Sequence, residues 1–142
     1  MTRSHNGHQE ATPFSHWLRQ LPTPLDSRNV SNQNLDYVWH DYRRNYLLTI
    51  EEKRFGGTAT SAQQDTHGVI AQMLANSNGL HVHTARGVRP VTYFGHYLVR
   101  FQNTTPEDGN MWINGIESTK TDLLEILAFR HWTQTNVLRD AA

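Results

Sequence analysis

Glu51 and Lys53 stand two positions apart at the end of the mostly apolar run Tyr46-Leu47-Leu48-Thr49-Ile50, and a further acid, Asp36, lies fifteen positions before Glu51. Successive side chains on a strand point to opposite faces. Thr49, Glu51 and Lys53 therefore share one face, and Leu48, Ile50 and Glu52 the other. A carboxylate and an ammonium side by side suit phosphodiester hydrolysis. Mg²⁺ takes hard oxygen ligands and usually only one or two protein carboxylates, which Asp36 and Glu51 would supply. Such an ion acidifies water. Lys53 would orient the attacking water or offset charge growing on the phosphate. A register slip of one residue exchanges the faces and would put Glu52 in place of Glu51 as the partner of Asp36.

The elements that must position these groups follow from local signals. Asn34 to His40 reads as a strand carrying Asp36, Asp41 to Asn45 as a hairpin turn, and Tyr46 to Phe55 as the antiparallel partner strand. Gly56-Gly57-Thr58 breaks that strand. A helix follows from Thr60 or Ser61 to Ala75, with Ala62, Thr66, Val69, Ile70, Met73 and Leu74 on one face. Leu80 to Pro90, rich in His and Arg, reads as a short strand plus an exposed loop. Val91 to Gln102 is a strand with Val91, Tyr93, Tyr97, Val99 and Phe101 on one face, and Met111 to Ile116 a short strand. A last helix starts near Thr119 to Thr121. Ahead of all these, Thr12-Pro13 is a helix start, Phe14, Trp17, Leu18 and Leu21 follow at helical spacing, and Pro22 and Pro24 end the segment. Residues 1–11 read as a loose tail and 23–33 as a loop anchored by Leu25 and Val30.

Composition bounds what this scaffold can be. The 142 residues suffice for one domain, residues 12–142, with a modest core: 37% are hydrophobic and mean hydropathy is −0.67. Cysteine is absent, which excludes disulfide frameworks and thiolate zinc sites. No apolar stretch approaches the roughly 18 residues of a membrane span, and the start lacks the apolar centre of a signal peptide. A soluble, cytoplasmic protein is expected. Thirteen basic residues balance thirteen acidic ones, so a nucleic-acid partner must be held by a local basic surface. Arg43, Arg44, Arg54, Arg86 and Arg89 are its candidates. Trp17 and Trp112 lie on apolar stripes and read as core residues; Trp39 shares a face with Tyr37, opposite Asp36.

The order helix, Asp-bearing strand, Glu-x-Lys strand, helix, strand resembles the PD-(D/E)XK nuclease superfamily, with Asp36, Glu51 and Lys53 at the positions of its signature. The pattern is most similar to the VRR-NUC and Holliday-junction-resolvase branches, in which a Gln opens the helix after the lysine. Gln63 matches by spacing, with Gln64 beside it. The resemblance covers roughly Leu35 to Leu74; Leu35 stands where the family often has Pro, and the first helix carries no acid. It implies a single α/β, restriction-endonuclease-like domain with a mixed sheet flanked by helices. It further implies a nuclease that cuts nucleic acid, DNA foremost, with Mg²⁺ or Mn²⁺. Asp36 and Glu51 would hold the metal, Lys53 and Gln63 would complete the catalytic set, and a homodimer follows by analogy.

Two other functions fit parts of the chain. One keeps the fold without the activity, as a nucleic-acid-binding or protein-interaction module. The other is a metal enzyme built on His81 and His83, which have the spacing of two ligands on one strand face, with His96 on a later strand.

Overall fold

Thr12 and Pro13 start a helix as their types predict: α1 (Pro13–Leu18) is capped by the Thr12 side chain, which accepts a hydrogen bond from the Ser15 N–H. This computed structural model describes residues 12–22 and 32–130; the expected tail 1–11, and Leu25 and Val30 of the expected loop, lie outside them. The chain divides into two compact units, residues 1–34 and 35–142. In the first, the apolar stripe of α1 is not core. Phe14 and Trp17 are 65% and 55% exposed and stack on each other with ring centroids 5.8 Å apart.

The second unit is a mixed α/β fold around a five-stranded sheet ordered β1-β2-β5-β6-β7. β1 (Tyr37–Asp41) and β2 (Tyr46–Lys53) form the expected antiparallel hairpin, but β1 runs three residues later at its start than the expected Asn34 to His40, so Asp36 directly precedes the strand instead of lying on it. Its turn contains no glycine, and Asn45 supplies the left-handed residue (φ +59), as a short polar side chain tolerates. Asn45 is buried there and bonds to His40 and to the Pro90 carbonyl. After β2 the chain crosses over through α2 (Ser61–Asn76) and returns in β5 (Thr92–Phe101), parallel to β2. β6 (Met111–Ile113) and β7 (Ile116–Ser118) add antiparallel strands, and α3 (Lys120–Leu127) follows. The segment expected as one strand and a loop is a separate hairpin, β3 (His81–Thr84) and β4 (Gly87–Pro90). Among the described residues no helix is long and apolar enough to cross a membrane.

The two faces of the sheet differ in kind. Towards α3 lies the main apolar cluster, in which Leu48, Ile50, Val99, Ile113 and Ile126 are buried. Full burial of each such side chain contributes about 1.5–3 kcal/mol. Towards α2 the apolar contact is small, made by Ala71, Ala75 and Tyr93 with Leu47 and Leu74 at its edge. The helix face turned inward is Gln63, His67, Ala71 and Ala75, whereas Val69 and Met73, expected on the inner stripe, are 57% and 65% exposed. Polar groups on β2 take polar partners on α2, and this overrides the hydrophobic pattern.

β5 does not keep one face. Its pairing with β2 slips between Leu47/Tyr93 and Thr49/His96, where β5 uses one residue more. Gly95, at φ +116, sits in that bulge. Tyr93 is thereby placed on the α2 side and Tyr97, Val99 and Phe101 on the α3 side, correcting the single apolar stripe expected from sequence. The bulge also brings His96 level with Thr49, and its Nδ1 lies 2.8 Å from the Thr49 hydroxyl. A Cβ at Gly95 would meet the Tyr97 ring only at ordinary contact distance, 3.6 Å and beyond. The cost of a side chain there is backbone strain. Gly95→Ala is expected to lower stability by about 1–3 kcal/mol, read as a reduced midpoint in urea unfolding.

Candidate active site

Antiparallel pairing fixes where the first acid falls. Tyr37 pairs with Ile50, so Asp36, one residue earlier, comes opposite Glu51 on the face turned to α2. Its carboxylate accepts a hydrogen bond of 2.9 Å from the Glu52 N–H. Glu52 itself faces away and accepts a hydrogen bond from the Tyr37 hydroxyl. The register is thus the one in which Glu51, not Glu52, joins Asp36.

Glu51 is 3% exposed, and Lys53 lies beside it with Nζ 3.3 Å from Oε2. Burial, and after it the charge of Asp36, push the Glu51 pKa up, against the opposing pull of Lys53 and His67. The other oxygen, Oε1, is buried and makes no hydrogen bond; its near neighbour is His67 Nε2 at 3.9 Å, beyond hydrogen-bonding range.

Gln63 ties the lysine to the helix. Thr60 caps α2 by accepting from the Gln63 N–H, and Gln63 Oε1 accepts from the Thr60 N–H in return, a capping box. The same oxygen accepts from Lys53 Nζ at 2.9 Å. Gln64, its neighbour in sequence, points to the outside and bonds the Ala59 carbonyl.

The strand carrying these residues ends at Lys53 rather than at Phe55. Arg54 to Gly57 form a tight turn, closed by the Gly57 N–H on the Arg54 carbonyl, with Phe55 and Gly56 at φ +55 and +71. Phe55 and Gly56 N–H groups are pinned to the carbonyls of Asn103 and Phe101. A bulky residue held left-handed costs about 1–2 kcal/mol, and Phe55 is 71% exposed while it bears that strain.

The proposed phosphate-binding arginines separate. Arg54 is exposed at the site end of β2. Arg43, Arg44, Arg86 and Arg89 gather around the β1–β2 turn, about 20 Å away at the strand rise of ~3.3 Å per residue. Two of them are engaged in structure there. Arg44 pairs with Asp41 at 2.6 Å, and Arg89 donates to the carbonyls of Tyr42 and Arg43. Arg86 lies over the Tyr42 ring at 4.8 Å. A different arginine neighbours the site: Arg100 pairs in register with Lys53 and stacks on Trp112 at 5.0 Å. Its Nε is buried without a hydrogen bond.

Two histidines join the site that the sequence reading did not place there. His67, 4% exposed, stands one helical turn after Gln63. Its ring centroid is 5.0 Å from that of His96. Burial, and after it the charge of His67, push the His96 pKa down to about 4, so the ring is neutral at pH 7. His81 and His83 are exposed on the β3–β4 hairpin.

Among the described residues no three His, Cys, Asp or Glu side chains gather as ligands of one ion. The donor set at the strand end is two carboxylates, which fits Mg²⁺ or Mn²⁺ with remaining places left to water and phosphate, not a structural zinc. The buried, unpartnered Oε1 of Glu51 and the mutual repulsion of Asp36 and Glu51 both favour a cation between them.

Compared with known proteins, the chain matches no family model, no curated protein and no solved structure.

Proposed function

We propose that this protein hydrolyses phosphodiester bonds of nucleic acid, DNA foremost, with Mg²⁺ or Mn²⁺, on a restriction-endonuclease-like domain of the PD-(D/E)XK type. One observation carries the reading: Lys53 is held between Glu51 and Gln63, with Asp36 opposite Glu51 in the strand register.

The residues have separable tasks. Asp36 and Glu51 would hold the ion, Asp36 with one oxygen already oriented by the Glu52 N–H. When bound there, the ion supplies an acidified water and neutralises phosphate charge. Lys53, its rotamer fixed by Gln63 and Glu51, presents a positive charge where the oxyanion develops. Arg54 and Arg100 extend that positive field along the strand ends. A binding-only module has no reason to bear the desolvation of the Glu51 carboxylate, so the catalytic reading is preferred to the interaction-module one.

Incubation with labelled linear, nicked, branched and single-stranded substrates tests it. Cleavage is expected with Mg²⁺ or Mn²⁺ and not with EDTA. No cleavage of any substrate with either ion would overturn the reading.

A further inference from the structure

Beside Glu51 a cavity of about 360 Å³, partly open to solvent, lies between the first half of α2 and the sheet. Its walls include Glu51, His67, Gly68, His96, Leu98 and Asn114. The volume falls within the roughly 300–1,000 Å³ of small-molecule pockets.

Gly68 is the unexpected residue on that wall. It lies within the 16-residue helix α2, where glycine costs about 1 kcal/mol relative to alanine. A Cβ at this position would meet nothing within 4 Å. Close packing of helix on sheet therefore does not require the glycine, and what its missing side chain provides is room.

The walls also select the occupant. Ala59, Gly68, Ala71, Leu98 and Ile116 give the interior small or apolar walls, which can take the apolar face of a ring. Glu51 brings a carboxylate to the wall, which disfavours a phosphate in the interior. Polar edges remain for a heterocycle. Asn114 Oδ1 is occupied by the Leu98 N–H, which turns its amide nitrogen over to a ligand.

We infer that this cavity receives one unstacked nucleobase of the strand being cut, next to the scissile phosphate. The inference rests on the nuclease reading, and it deepens that reading by specifying the substrate. A base inside a perfect duplex cannot reach the slot, so substrates with an unpaired or easily flipped nucleotide at the cut are preferred.

The experiment uses the whole chain, Ca²⁺ as a non-cleaving ion, and duplexes carrying 2-aminopurine at one unpaired position. Wild type is expected to raise the probe's fluorescence as the base leaves the stack. Gly68→Leu, which fills the slot, should abolish that rise and weaken binding about tenfold to a hundredfold. Gly68→Ala should show an intermediate loss with a higher melting temperature, separating a filled slot from a damaged fold. Cleavage by wild type with no fluorescence change, or equal base binding by Gly68→Leu, overturns the inference and leaves the nuclease reading standing. A fluorescence rise with no cleavage of any substrate supports the base pocket and overturns the nuclease reading instead.

Discussion

With Glu51 replaced by Gln, metal-dependent cleavage is expected to fall by at least about a thousandfold. The amide keeps the shape of the side chain but removes the charge that would hold the ion. Asp36→Asn should fall similarly, since that side chain supplies the other carboxylate and keeps its hydrogen bond from the Glu52 N–H. Lys53→Ala should lose about a hundredfold to a thousandfold, and Lys53→Arg should recover only part of it, because Gln63 and Glu51 position an ammonium, not a fork. Binding of DNA should be largely kept in the Asp36 and Glu51 variants, since removing a carboxylate removes no positive charge from the surface. Single-turnover cleavage and a binding titration in Ca²⁺ separate the two effects. Wild-type rates in Glu51→Gln would exclude the mechanism.

The motif was legible in the sequence because its constraints are local. A period-2 strand puts Glu51 and Lys53 on one face, and a helix read from Thr60 or Ser61 sets Gln63 in its first turn. The hairpin then fixes Asp36 opposite Glu51 through a turn whose left-handed residue is Asn45. What was not legible depends on exchange between elements. Val69 and Met73 made the apolar stripe of α2 in the sequence, yet the helix turns His67 and Gln63 inward because the β2 face it meets is polar. A signal for His67 was present: once Gln63 is set against Lys53, the residue one turn later must face the same strand. The switch of Tyr93 to the α2 side had only Gly95 as its sign, and a lone glycine in a strand does not say which way a bulge will turn the chain. The division of the basic residues between two places was not legible for another reason. Arginines near one another in sequence were grouped as phosphate contacts, but Arg89 and Arg44 bind the β1–β2 turn, and Arg100 came to the site through strand register.

Stability should depend on pH and on divalent ions through the same carboxylate. The folded-state pKa of Glu51 is raised, by burial first and by Asp36 second. Between its ordinary value and the raised one the folded chain binds more protons than the unfolded chain, so this group makes stability fall as pH rises through that window. His96 acts oppositely: its folded pKa is pushed down to about 4, so stability rises with pH between about 4 and the ordinary His value near 6.5. Asp41 and Asp108, held below the usual carboxylate range by their hydrogen bonds, lose their contribution only at lower pH. The difference between wild type and Glu51→Gln across pH isolates the glutamate: in EDTA the wild type should lose ground to the variant as pH rises. Ca²⁺ should reverse that trend, because a cation between Asp36 and Glu51 replaces their repulsion by attraction, and increasingly so once Glu51 is ionised. At a hundredfold excess over Kd the gain is about 2.7 kcal/mol, which for a domain of this size raises Tm by roughly 6–10 °C. Thermal unfolding of both proteins, with EDTA and with Ca²⁺ at several pH values, reads all of this without any nuclease assay. An ion-induced rise that persists in Glu51→Gln would place the cation elsewhere, and no rise in the wild type would remove the metal from Asp36 and Glu51.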